Sequence, residues 1–149
     1  MATFKYSMEN ILRIKERIEE QRRMALGQAM VEYQQALAEQ KTIEGKLQVY
    51  LDEFYGNQHK KTNASALQHM SSQVSWYEDS LKLQKDLVVR ALEMVEQKRE
   101  ALKKALEEKK IQEKLKENAF ERYQEEEKLK EQQILDELVG YRYASADRD

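Results

Sequence analysis

Apolar residues recur every three or four positions along most of this chain, with polar residues filling the gaps. From residue 26 the series runs Leu26, Met30, Tyr33, Leu37, Gln40, Glu44, Leu47, Leu51 and Phe54, seven of the nine apolar. Upstream the stripe drifts onto Ile11, Ile14, Ile18 and Ala25. A second series begins at Leu67 and continues through Met70, Val74, Tyr77, Leu81, Gln84, Val88, Ala91, Val95, Lys98, Leu102 and Ala105. A 3.5-residue repeat holds one stripe against a partner helix, the condition for a coiled coil. Two long helices are therefore predicted, helix one over about 4–55 and helix two over about 65–139.

One segment interrupts the pattern. Gly56 can take the left-handed position that ends a helix. Ser65 followed by Gln68 has the spacing of a capping box. The stretch 56–63 is read as a loop, and Gly140 as the stop that leaves a tail over 140–149. So short a connection makes the helices pack antiparallel. The two series then pair Phe54 with Leu67, Leu51 with Met70, Leu47 with Val74 and Gln40 with Leu81, and by extension Phe4 with Glu117. The expected fold is all-α: an antiparallel two-helix coiled-coil hairpin in one domain, 1–149. At ~1.5 Å per residue the paired part is roughly 80 Å long. The C-terminal helix, without a partner after about residue 117, should overhang by ~30–40 Å. A dimer of two extended chains is the alternative, opposed by a glycine and a capping box in succession.

Composition agrees with long helices. Of 149 residues 36% are charged, four are Gly, and there is no Pro or Cys. Without cysteine there is no disulfide framework, thiolate metal site or cysteine nucleophile. The longest aliphatic run, Leu87-Val88-Val89, is far below the ~20 apolar residues of a membrane helix. No signal peptide is evident at the N-terminus. A cytoplasmic location is expected. With 26 basic and 28 acidic residues the net charge is −2, which argues against a nucleic-acid partner. Charge is nevertheless uneven. Arg13, Lys15, Arg17, Arg22 and Arg23 make the start of the first helix basic, whereas Glu117 to Glu137 carries a net −5.

Apolar residues outside the seam point to partners. With the seam at heptad positions a and d, Ile43 and Tyr50 fall at g on helix one. Leu87 and Met94 fall at g on helix two, and Trp76 and Leu83 at c. Antiparallel pairing brings the two g flanks together, so Ile43, Tyr50, Trp76, Leu83 and Leu87 form a candidate docking patch. The register sets Tyr50 near Gln73 and Trp76. A widened seam is the competing account of these side chains. The overhang supplies a second set, Phe120, Tyr123, Ile134 and Leu138, with Leu135, Val139, Tyr141 and Tyr143 beside them. An unpaired helix of this composition is marginal alone.

Catalysis finds little support. His59 and His69 lack the spacing of a zinc pair, and no phosphate loop or nucleophile elbow is present. Two packed helices offer no walled pocket. The expectation is a non-enzymatic protein without cofactor, metal or small-molecule substrate.

The start Phe4-Lys5-Tyr6 with Ile11-Leu12-Arg13-Ile14-Lys15, a hairpin of about this length, and the tail with Glu125-Glu126-Glu127-Lys128 and Leu135-Asp136-Glu137 form a combination. Taken together, they resemble the FliJ family of the bacterial flagellar type III export apparatus. The resemblance implies a soluble stalk similar to the γ stalk of rotary ATP synthases. It implies that the end bearing both termini enters the hexameric export ATPase FliI and promotes its assembly and activity. It implies further that a surface near the loop meets the export gate protein FlhA, at the cytoplasmic face of the apparatus. Ile43, Tyr50, Trp76, Leu83 and Leu87 are then the candidate gate contacts. Arg13, Arg17, Arg22, Arg23, Phe120, Tyr123, Ile134 and Leu138 are the candidate ring contacts. The family is also described as escorting export chaperones, and no residue here places that activity. The equivalent stalk of a virulence injectisome fits equally well. A prefoldin-like holdase is a further alternative, opposed by the polar loop (Asn57, Gln58, Lys60, Lys61).

Overall fold

The computed structural model describes residues 3–57 and 63–147. Two helices account for nearly all of them, α1 (Glu9–Asn57) and α2 (Ala64–Ala146). The fold is all-α, two long helices packed against each other, and among the described residues there is no strand. The chain divides into two compact units. A terminal unit holds Met1–Glu20 and Lys104–Asp149, and a medial unit holds Gln21–Lys103. Each contains one segment of α1 against one segment of α2.

The helix ends differ in detail from the periodicity-based boundaries. α1 begins at Glu9 and not near residue 4, so residues 3–8 approach the helix without being part of it. Gly56 is helical, and no described glycine has a positive φ. The break falls after Asn57, and the rest of the expected loop, 58–62, lies outside the described residues. At the start of α2 the cap is Asn63, not Ser65. The Ser65 amide donates to Asn63 Oδ1 at 3.2 Å, while the Ala66 and Leu67 amides donate to the Asn63 carbonyl. Asparagine at the cap satisfies one of the four amides a helix start leaves unpaired. Gly140 does not stop α2, because a single helical glycine costs only about 1 kcal/mol. The helix continues six residues further, to Ala146.

In the medial unit the α2 stripe behaves as its spacing requires. Every member from Leu67 to Leu102 is at least half-buried, and Val95 is 3% exposed. The α1 stripe is rotated by about one residue. Met30 and Glu44, expected in the seam, are exposed, while their neighbours Ala29 and Ile43 turn inward with Ala36 and Tyr50. Small side chains at 29 and 36 let the helices approach. Gln84 Nε2 donates to the Ala36 carbonyl at 2.9 Å, giving a polar seam residue a backbone partner.

In the terminal unit Leu12 and Ala105 are the buried apolar residues. Ile11 and Ile14, placed in the seam by spacing, are exposed, because Leu12 and Glu19 hold the inward face instead. Ion pairs cross between the helices at Lys15–Glu108, 3.0 Å, and at Lys116–Glu9, 2.9 Å. Both are solvent-accessible, so each contributes no more than about 1 kcal/mol. They position more than they stabilise.

Candidate functional site

No helix among the described residues is long and apolar enough to cross a membrane. No described group of three His, Cys, Asp or Glu side chains could hold a metal. What the chain does present is apolar and charged surface, one region in each unit.

In the medial unit α2 carries Trp76, Leu83, Leu87 and Met94, spaced by seven, four and seven residues. They are 64%, 68%, 50% and 42% exposed, which is high for side chains of this size. Such spacing lines them along one flank as exposed apolar surface. Ile43 and Tyr50 do not join them as open surface, since both are half-buried in the seam. The competing account, a widened seam, therefore fits these two residues and not Trp76, Leu83 and Leu87. Tyr50 stacks on Tyr77, ring centroids 5.0 Å apart, and Tyr77 meets Trp76 edge-on at 4.9 Å. Spacing alone did not single out Tyr77 as this link; the adjacent Trp76-Tyr77 pair was the available signal. Tyr50 titrates above the ordinary phenol value of 10.0. The cause is first the charge of an ionising Tyr77, then partial burial, a hydrogen bond with Tyr77 and the charge of Glu53.

In the terminal unit the expected overhang begins later than residue 117. Phe4 does not face Glu117 but packs on Phe120 edge-on at 5.2 Å and on Tyr123 at 5.4 Å. The reason lies before α1: non-helical residues advance by up to ~3.3 Å each instead of ~1.5 Å. Phe4 thus reaches further along α2 than a helical register allows. Phe120 and Tyr123 are accordingly committed in part to an internal aromatic cluster. From Lys128 to Asp147 every residue is exposed. Ile134, Leu135, Leu138 and Val139 are 57%, 61%, 54% and 52% exposed, and Tyr141 and Tyr143 more than 70%. Steps of four and three place Ile134, Leu138 and Tyr141 on one helix face.

The basic residues are divided. Arg13 and Arg17 lie in the terminal unit, Arg22 and Arg23 in the medial one, and all four are exposed. Arg13 lines a cleft of about 400 Å³ together with Phe4, Lys5, Tyr6, Glu9 and Lys116. Spacing gave no hint of this cleft, because it depends on how the non-helical start folds back on α2. Of the two histidines, His59 lies outside the described residues. His69 is exposed, its Nε2 3.3 Å from the Gln73 amide nitrogen.

The model of the flagellar FliJ protein family matches residues 4–148, almost the full chain. The chain belongs to the FliJ family. This is a family of structural stalk proteins of type III export. No curated protein matches the chain. Among solved structures, a protein described as a YscO homologue, CT670 from Chlamydia trachomatis, has the same fold. The TM-score is 0.57 at 19% identity, with 99% of each chain covered. In this FliJ-family chain, then, a two-helix fold spans a long sequence divergence, and the exposed residues of each unit carry what is particular to it.

Proposed function

We propose that this chain is the stalk subunit of a bacterial flagellar export apparatus, acting at the cytoplasmic face of the machine. Its terminal unit enters the ring of the export ATPase FliI and promotes ring assembly and activity. Its medial unit meets the gate protein FlhA through Trp76, Leu83 and Leu87, backed by Ile43 and Tyr50. One observation carries the reading: in a FliJ-family member, the last turns of α2 display an apolar face that no described residue covers. A helix left unpartnered in water is marginal, so a partner that covers Ile134, Leu138 and Tyr141 gains both apolar burial and helix order.

The mechanism is mechanical and allosteric. A single chain inside a ring of identical subunits touches them unequally. It biases their conformational equilibria only through contacts that differ between states. Arg13, Arg17, Arg22 and Arg23, with the acidic stretch 117–137, give polar contacts of both signs. Phe120 and Tyr123 hold the base of the tail, from which Ile134 and Leu138 reach the ring. Export chaperones are further candidate partners.

The test is a pull-down with FliI and FlhA using the full chain, a truncation ending at Glu127, and Trp76→Ala. The expected pattern is loss of ATPase binding in the truncation alone and loss of gate binding in the point variant alone. Binding untouched by either change overturns both assignments. The fold shared with the YscO homologue favours a second reading, the equivalent stalk of an injectisome. Restoration of swimming in a strain lacking its flagellar stalk supports the first; restoration of injectisome secretion alone supports the second.

A further inference from the structure

The cleft at the start of the terminal unit contains more positive charge than its own contacts use. Three cations line it, Lys5, Arg13 and Lys116, against one carboxylate, Glu9. Glu9 is already taken, since Lys116 Nζ lies 2.9 Å from its Oε2. Lys5 and Arg13 have no ion-pair partner among the described residues. The floor is aromatic and anchored: Phe4 is held by Phe120 and Tyr123, and the Tyr6 hydroxyl donates to Gln112 Oε1 at 3.4 Å. Glu9 and Gln112 thus fix two walls of the cleft, while two cations at its rim remain available.

We infer that this cleft is a carboxylate-binding site that takes an acidic segment of a partner protein, with Arg13 and Lys5 as the gripping residues. Arginine offers a planar fork matched to a carboxylate, and lysine adds a point charge. Phe4 and Tyr6 supply an apolar surface for the methylenes of glutamate side chains. The Lys116–Glu9 pair does not bind the ligand; it holds Lys116 beside the cleft and prevents three uncompensated charges from crowding together. The inference deepens the ring reading of the terminal unit, and rests on it only for which protein supplies the acidic segment.

The experiment is calorimetric titration of the full-length chain at low salt with a hexaglutamate peptide, and separately with inorganic phosphate. The variants are Lys5→Gln/Arg13→Gln and, as a control on exposed lysines away from the cleft, Lys82→Gln/Lys85→Gln. Hexaglutamate is expected to bind the unaltered chain. Its affinity should fall roughly tenfold or more in the cleft variant, with little change in the control. Arg13→Lys, which keeps the charge and loses the fork, should fall between. Four results overturn the inference: no binding, an equal loss in the control, Arg13→Lys as weak as the double variant, or phosphate that binds through the same residues and displaces the peptide. Because no ATPase is present, failure here leaves the ring reading standing. A chain that binds hexaglutamate through the cleft but never engages the ATPase defeats the ring reading alone.

Discussion

Trp76 and Leu12 illustrate how little size says about role. Leu12 is 4% exposed and Trp76 64%, so the larger side chain contributes less to folding. Leu12→Ala should cost about 2–5 kcal/mol in denaturant titration, the range for buried leucines. Trp76→Ala should cost under about 1 kcal/mol while removing gate binding. A large loss of stability from the tryptophan change would move it from docking surface to core. Tyr50 allows a separate test by pH. Its folded pKa is raised, so its contribution is fully present below the unfolded value near 10 and is lost as pH rises through the higher folded value. Ultraviolet titration of the phenols should therefore show a late-ionising component that is lost in Tyr50→Phe. An unchanged curve in that variant would detach Tyr50 from its stack on Tyr77.

At the scale of the helices, the seam of α2 was legible almost residue by residue, from Leu67 to Ala105. That of α1 was legible only to within one position. Its register contains adjacent pairs, Ala29-Met30, Ala36-Leu37, Ile43-Glu44 and Tyr50-Leu51, in which either member can face inward. Which one does depends on the shape of α2, information no single stripe contains. The same reasoning explains the patch. Ile43 and Tyr50 sit at a position that is flank in an ideal heptad and seam in this pair, whereas Trp76, Leu83 and Leu87 remain on the outside. The cleft at Arg13 was illegible for another reason: it requires the non-helical residues 3–8. Two substitutions test the helices themselves. Gly45 is helical and exposed, with open space where a Cβ would stand, so Gly45→Ala should stabilise by about 1 kcal/mol. Asn63→Ala removes the cap of α2 and should cost about 1 kcal/mol in the same titration. A destabilising Gly45→Ala or a stabilising Asn63→Ala would contradict the helix boundaries.

Taken as a whole molecule, the chain has nearly balanced charge, few fully buried side chains and much exposed apolar surface. The distribution of that surface into distinct stripes is the pattern that docking surfaces show. The medial flank and the C-terminal turns were both visible in the sequence as apolar residues outside the seam. Where the tail loses its internal partner was not, because Phe4 extends the internal contacts to Tyr123. On the proposed function, α2 beyond Lys128 finds its partner in the export ATPase. Amide hydrogen exchange over 128–146, with and without the assembled ATPase, measures this directly. Exchange should be fast in the free chain and slow at least tenfold when the ATPase is added, with the slowing centred on Ile134 to Tyr141. Equal exchange in both samples, under conditions where the two proteins demonstrably bind, would contradict it.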